Sequence, residues 1–139
     1  MAIYEDGFIR RVLLPGESIS ADVAYTDDSL SFAVQTAEYF QGSRKIFTLP
    51  FFIPGTIFKQ DVYRTVLHIP YGQTATYSAV AFAAGYPHAM RAVGNAMKSN
   101  PLPLIIPCHR VIHQSKNQCR YRGGANMKRY LLSLEKENR

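Results

Sequence analysis

A cluster of proline and glycine around residue 52 coincides with a change in the charge of this chain. Pro50, Pro54 and Gly55 lie close together, and such residues end helices and strands. The formal charge changes sign at the same point, since residues 1–50 carry four basic and seven acidic side chains, whereas residues 51–139 carry twelve basic and three acidic ones. The sequence therefore predicts two units, at 1–52 and 53–139.

The first unit is predicted to be a small antiparallel sheet followed by a helix. Apolar runs at 2–4 and 8–14 flank Asp6-Gly7, and an Asp-Gly pair between such runs is a hairpin signal. Residues 19–25 are expected to supply a third strand.

A helix is expected to start near Asp28 or Ser29 and to end at Gly42. The helical period places five apolar side chains on its core face. These are Leu30, Ala33, Val34, Ala37 and Phe40. No candidate catalytic residue falls in this unit.

The second unit is predicted to be mostly helical, which makes the whole chain α+β. Thr56 and Thr76 are expected to cap helices, and Pro87 suits a first helical position. The predicted helices are 56–67, 77–83, 87–98 and 125–137. The second and third of these are short and joined by a turn containing Gly85, which is typical of a helix-turn-helix in a winged-helix-like unit. An ordinary packed helix pair is the alternative.

Small residues dominate the predicted outer face of the third helix. Met90, Val93 and Met97 form the expected buried face. Arg91 is one long cation on a nearly bare surface formed by Ala89, Ala92, Gly94 and Ala96, with Asn95 and Lys98 nearby. Such a surface can approach a duplex closely while one arginine enters the groove, and the basic charge of this unit also indicates an anionic partner such as nucleic acid.

A lone thiol stands between a proline and a base in Pro107-Cys108-His109-Arg110, directly after the apolar run at 102–106. A neighbouring histidine and arginine are residues that lower the pKa of a thiol and make it nucleophilic. In an extended segment Cys108 and His109 would face opposite sides, so a bridging water is expected between them. Glu135 is a candidate to orient His109. The alternatives are a buried structural Cys108 and surface positions for His109 and Glu135.

A zinc interpretation of Cys108, His109, His113 and Cys119 fits no recognised ligand spacing, so neither metal nor cofactor is expected. The N-terminus shows no signal peptide and no run is long enough to cross a membrane, so reduced thiols are expected, in the cytoplasm or in the nucleus of a eukaryote. The protein is also expected to be a monomer.

Six linked motifs over residues 53–137 are similar, in order and spacing, to the O6-alkylguanine-DNA alkyltransferase family. They are Gly55-Thr56-Ile57-Phe58, Ile69-Pro70-Tyr71-Gly72-Gln73-Thr74, Arg91-Ala92-Val93-Gly94-Asn95-Ala96, Asn100-Pro101-Leu102-Pro103, Pro107-Cys108-His109-Arg110-Val111-Ile112 and Tyr121-Arg122-Gly123-Gly124. The resemblance implies direct-reversal repair of O6-alkylguanine, and of O4-alkylthymine, in double-stranded DNA without a cofactor.

The resemblance also implies roles for single residues. Cys108 would accept the alkyl group, His109 would take the thiol proton through a water, and Glu135 would orient His109. Asn100 would brace the active-site loop, and Tyr77 would crowd the rotating phosphate and protonate the departing guanine. Arg91 would fill the gap left by the flipped base. The remaining implied residues are Thr76, Ala89, Ala92, Gly94 and Asn95 at the DNA, and Pro103, Val111, Tyr121, Arg122 and Gly123 around the base.

Two features depart from the family pattern. The stretch 113–120 is poor in glycine, and Arg122 stands where a small or hydroxyl residue often lies, so both are expected to reshape the pocket rim. The first unit contains no Cys or His, which excludes a zinc site there.

Three other functions fit the sequence less well. An alkyltransferase-like protein that only flags lesions usually has tryptophan at the nucleophile position, and this chain has no Trp. A helix-turn-helix transcription factor would leave the Cys108 motif unexplained. A cysteine hydrolase would need an oxyanion hole, for which no motif is present.

Overall fold

A computed structural model describes residues 1–18, 29–115 and 121–139. The fold is α+β, as the sequence predicted. In chain order its elements are β1 (Ala2–Glu5), β2 (Phe8–Val12), α1 (Ser29–Phe40), α2 (Ile57–Leu67), β3 (Ala75–Thr76), α3 (Tyr77–Ala83), α4 (Met90–Lys98), a 3-10 turn (Cys108–Arg110), β4 (Val111–Ile112) and α5 (Ala125–Glu137). The strand expected at 19–25 and the stretch 116–120, with Cys119, lie outside the described residues.

The N-terminal hairpin forms as predicted. Strands β1 and β2 pair antiparallel, with Glu5 opposite Phe8 at the turn. Asp6 and Gly7 have φ values of 52° and 79°, so both occupy the left-handed region that a two-residue turn between twisted strands requires.

Helix α1 forms, but the predicted core face was wrong. Phe32 and Tyr39 are the buried side chains, whereas Leu30 is 70% and Val34 48% exposed. The aromatic rings decide the rotation of the helix, because Phe32 and Tyr39 both pack against Phe47 and each ring buries more area than an aliphatic side chain.

Helices α2, α3 and α5 match their predicted bounds to within one residue. Thr56 accepts a hydrogen bond of 3.2 Å from the Lys59 amide, and Thr76 accepts one of 3.1 Å from the Ala79 amide, so both predicted caps are confirmed. Helix α4 starts at Met90 instead of Pro87, because the preceding residues form a turn in which the Ala89 amide donates to the Tyr86 carbonyl at 3.0 Å.

Helices α3 and α4 pack together as the predicted helix pair. The buried side of α4 consists of Val93, Ala96 and Met97, whereas Met90 is 48% exposed. The prediction was therefore wrong for Met90 and Ala96. The i, i+3, i+4 spacing that centres on Val93 selects Ala96, and the first turn of the helix projects beyond the packed surface.

A short parallel pairing positions the later site. Strand β3 pairs with β4 so that Ala75 lies opposite Val111 and Thr76 opposite Ile112. The start of α3 thereby lies beside the segment that follows Cys108. One buried cluster includes Ile9 and Tyr39 from the first unit and Ile106 from the second, and the boundary at 52–53 stays a prediction. No helix in the described ranges is long and apolar enough to cross a membrane.

Candidate active site

Cys108 begins the 3-10 turn and is 2% exposed. Pro107 before it has φ −78° and ψ 63°, an inverse γ-turn closed by a 2.7 Å hydrogen bond from the Cys108 amide to the Ile106 carbonyl. The extended conformation considered for Cys108 and His109 does not form, because Pro107 turns the chain and β4 starts only at Val111. The two side chains therefore do not alternate across a strand.

Asn100 bridges the loop that leads to the thiol. Its side chain is fully buried, donates to the Ile106 carbonyl at 3.0 Å and accepts from the Leu102 amide at 2.9 Å. Leu104, between these points, has a φ of 72°, which is unfavourable for a residue with a branched side chain. The Asn100 amide thus helps to hold a strained loop whose end carries Cys108.

Burial raises the pKa of the Cys108 thiol, because the thiolate loses its hydration. A hydrogen bond from the Asn100 side chain and the charges of Lys128 and Arg122 act in the opposite direction. The neighbour in sequence, Arg110, is instead paired with a carboxylate. The lowered thiol pKa that the sequence neighbours of Cys108 predicted was therefore wrong: burial raises this pKa, and the cations that act against burial are Lys128 and Arg122.

That carboxylate is Glu135 on α5, which is fully buried. It accepts hydrogen bonds from His109 Nε2 at 2.7 Å, from Arg110 Nε and an Arg110 terminal nitrogen at 2.9 and 2.8 Å, and from the Gly72 amide at 3.2 Å. Burial by itself raises the pKa of Glu135, but the hydrogen bonds from His109 and Arg110 outweigh it and hold that pKa well below its usual range. Glu135 is therefore ionised and accepts only.

His109 is also fully buried, so the alternative surface positions for His109 and Glu135 are excluded. Burial lowers the pKa of His109 in spite of the nearby Glu135, so the ring is neutral near pH 7. Because Nε2 must carry the proton that it donates to Glu135, Nδ1 has a free lone pair. Nδ1 is buried and has no hydrogen-bond partner among the described residues.

Tyr39 on α1 completes this cluster and was missed by the sequence analysis. Its hydroxyl donates to Glu135 Oε1 at 2.7 Å and lies 3.4 Å from His109 Nε2. Tyr39 is 96 residues from Glu135 in the chain, and no spacing signal links residues across that distance. It was predicted to belong to a unit without catalytic residues.

Arg122 is held by hydrogen bonds to backbone and to a carboxylate. It donates to the carbonyl oxygens of Asn100 and Val12 at 2.6 and 2.5 Å and forms an ion pair with Glu17 at 3.0 Å. Arg122 therefore connects the active-site loop to the N-terminal hairpin.

The other expected pocket residues differ in how closely the structure ties them to Cys108. Pro103 and Val111 are buried, and Lys128 Nζ donates to the Val111 carbonyl. The Tyr121 hydroxyl is close enough for the Cys108 charge to contribute to its raised pKa, although burial is the larger cause. A methyl group on Gly123 would lie 2.9 Å from the Tyr121 ring, so that position admits no side chain without a shift.

The expected DNA-binding residues gather at α3 and α4. Arg91, Ala92 and Asn95 are exposed, and Ala89 and Gly94 are partly exposed. Thr76 caps α3, and Tyr77 beside it is buried, with its ring 6.4 Å from the His113 ring. Arg91 takes part in no ion pair within the three described ranges. No cluster of three or more potential metal ligands occurs in the described part of the chain.

Comparison with known families gives one match over most of the second unit. Residues 57–137 match the family model described as 6-O-methylguanine DNA methyltransferase, DNA binding domain. The chain is 43% identical over 127 residues to the inducible methylated-DNA–protein-cysteine methyltransferase of Bacillus subtilis (strain 168), covering 91% of this chain and 69% of that protein. It is 45% identical over 103 residues to the constitutive methylated-DNA–protein-cysteine methyltransferase of the same strain, and it spans 62% of that protein.

Two solved structures have folds similar to that of this chain. The O6-methylguanine methyltransferase of Mycobacterium tuberculosis in complex with DNA is 36% identical, with a TM-score of 0.90 over 99% of this chain and 86% of that one. Schizosaccharomyces pombe Atl1, in complex with damaged DNA containing O6-carboxymethylguanine, is 34% identical, with a TM-score of 0.51 over 56% of this chain and 74% of that one.

Proposed function

The chain belongs to the 6-O-methylguanine DNA methyltransferase family, and from this membership we propose that it repairs DNA by irreversible transfer of an alkyl group to Cys108. The substrates are O6-alkylguanine and O4-alkylthymine in double-stranded DNA. The observation that carries the proposal is the buried base beside the thiol: His109 has Nε2 bound to Glu135 at 2.7 Å and a free lone pair on Nδ1.

In the transfer, the Cys108 sulfur forms a bond to the alkyl carbon while the bond from that carbon to guanine O6 breaks. The thiol proton passes through a water to His109 Nδ1, and ionised Glu135 stabilises the imidazolium that results. Tyr77 donates a proton to the guanine as it leaves, so that guanine departs neutral. Asn100 and Lys128 stabilise the thiolate, which counters the effect of burial on its pKa.

The product is a thioether, which has no carbonyl for water to attack. The proposal therefore implies one transfer per molecule, with the protein acting as reagent and catalyst together. No metal or cofactor has a part in this scheme.

The helix pair supplies access to the base. A modified base inside the duplex must rotate out of the stack, at a cost of about a few kcal/mol. Arg91 fills the vacated position, and the small residues Ala92 and Gly94 let α4 approach the minor groove. The DNA backbone next to this position is contacted by Thr76, Ala89 and Asn95. The rotated base is enclosed by Pro103, Val111, Tyr121, Arg122 and Gly123.

The acceptor thiol must stay reduced, so the proposal includes a cytoplasmic location, or a nuclear one in a eukaryote. A protein of this kind acts on DNA as a monomer.

The test is intact-mass and peptide analysis after the protein is mixed with a duplex containing O6-methylguanine. We expect a shift of one methyl group, confined to the Cys108 peptide and saturating at one equivalent. Cys108→Ser should bind the duplex but show no shift. Binding by the unaltered protein without any shift would overturn the proposal and favour a protein that only flags lesions.

A further inference from the structure

Tyr39 lies in the buried hydrogen-bond cluster although it belongs to α1, near the other end of the chain. It is 1% exposed, and its ring is fixed by contacts with Phe40, Phe47 and Tyr71 at centroid distances of 5.5, 5.6 and 6.1 Å. The ring is therefore held in one orientation, with its hydroxyl on Glu135 Oε1 at 2.7 Å.

The hydroxyl shares an acceptor with the base. Glu135 Oε1 accepts from Tyr39 and from His109 Nε2, both at 2.7 Å, and these two donors are 3.4 Å apart. A tyrosine hydroxyl that donates to an ionised carboxylate disperses part of its negative charge. It thereby weakens the attraction between that carboxylate and a protonated imidazole.

We propose that Tyr39 is a positioning residue of the alkyl-transfer site, which sets how readily His109 takes up the thiol proton by sharing the Glu135 carboxylate with it. This inference rests on the proposed function and adds to it a residue from the first unit. The N-terminal hairpin and helix then supply part of the proton-accepting cluster as well as the fold.

Other charged and titratable groups also face His109 and Glu135. Arg110 and Lys128 both lower the pKa of His109 by charge repulsion, and Glu135 raises it, while burial is the largest effect. The groups that face the pair are Tyr39 from α1, Tyr71 from the loop before β3, Arg110 from the 3-10 turn, and Lys128 from α5. Of these, Tyr39 and Arg110 donate hydrogen bonds to the Glu135 carboxylate, as His109 does.

Tyr39→Phe has an effect of defined sign. Without the hydroxyl, Glu135 keeps more charge for His109, which raises the pKa of His109. More of the protein then holds a protonated His109 at a given pH, and a protonated ring cannot accept the thiol proton. The acidic limb of the rate profile should move to higher pH by about 0.5–1 unit, since a hydrogen bond to a charged group corresponds to about one pKa unit.

The experiment measures single-turnover methyl transfer from saturating duplex DNA between pH 5 and 8 with the full chain. Tyr71→Phe is the matched control, because the Tyr71 hydroxyl is buried near Glu135 but has no hydrogen-bond partner among the described residues. We expect the Tyr71→Phe profile to superimpose on that of the unaltered protein.

The outcomes separate the two proposals. If the unaltered protein transfers no methyl group, the proposed function fails. If it does transfer, and Tyr39→Phe gives a profile of unchanged midpoint, the role of Tyr39 is overturned, even where the rate falls uniformly with the melting temperature. A shifted midpoint in Tyr39→Phe and not in Tyr71→Phe supports the role.

Discussion

Arg122 donates a hydrogen bond of 2.6 Å to the backbone carbonyl of Asn100, the residue that braces the loop before Cys108. The same guanidinium reaches the Val12 carbonyl and Glu17 in the N-terminal part of the chain. An arginine that the sequence was expected to place at a reshaped pocket rim thus connects the loop to the hairpin.

Arg122→Ala should destabilise the protein. The substitution leaves two backbone carbonyls and Glu17 without their charged donor, and each such hydrogen bond contributes about 1–3 kcal/mol where it is shielded from water. Because Arg122 is only partly buried, we expect a total loss of about 1–3 kcal/mol in the free energy of unfolding, measured by urea denaturation.

Arg129→Ala is the matched control for that measurement. Arg129 is exposed and bonds only to the Asn126 side chain among the described contacts. Its removal should change the free energy of unfolding by less than about 0.5 kcal/mol. Equal losses in the two variants would show that the Arg122 contacts do not stabilise the loop.

His109 should make stability depend on pH in a window just below neutrality. Burial lowers its pKa in the folded protein, whereas the unfolded chain takes up a proton below about pH 6.5. The unfolded state therefore binds more protons, so this contribution is fully present above about pH 6.5 and is lost as pH falls toward the folded-state pKa.

Urea denaturation at steps between pH 7.5 and 5 would measure this dependence. The slope should approach, at most, about 1.4 kcal/mol per pH unit. His109→Gln should flatten the slope in this window, while Glu135, whose pKa is depressed, contributes only at lower pH. Parallel curves for the two proteins would contradict a buried neutral His109.

Arg91→Ala should impair repair in duplex DNA and spare the chemistry. An exposed cation that fills the vacated stack is needed only where a base must be rotated out of a helix. We expect the transfer rate from duplex O6-methylguanine to fall about tenfold or more, and the reaction with free O6-benzylguanine to change less than about twofold. Lys98→Ala, on the last turn of the same helix, serves as control, and equal losses on both substrates would exclude the intercalating role of Arg91.

Gly94→Ala should stabilise the protein and weaken its binding to DNA. A methyl group there would lie 3.9 Å from the Tyr77 ring, an ordinary contact, and alanine in a helix interior is favoured over glycine by about 1 kcal/mol. The same methyl group would hold α4 away from the groove. The melting temperature should rise while the affinity for duplex falls.

Gly85→Ala is the contrasting substitution, because the melting temperature should change in the opposite direction. Gly85 has a φ of 92° and open space around it, so alanine is strained there and should lower the melting temperature. A fall in melting temperature for Gly94→Ala as well would mean that α4 does not tolerate the methyl group that its geometry admits.

Short-range sequence signals predicted several elements of the fold. The Asp6-Gly7 turn and the Thr56 and Thr76 caps depend on a few neighbouring residues, and each forms as predicted. The face of α1 was wrong because the choice between Leu30 and Phe32 depends on what packs against the helix, namely Phe47.

The sequence by itself determined the family and the α+β class and predicted the thiol with its base, because motif order and short-range capping are encoded in neighbouring residues. Only the tertiary structure decided how that base is held. Glu135, Arg110 and Tyr39 come from three separate elements, and a buried carboxylate is stable only where packing brings donors to it. Packing likewise decides that the cations whose charges lower the pKa of Cys108 are Lys128 and Arg122, whereas Arg110 is paired with Glu135.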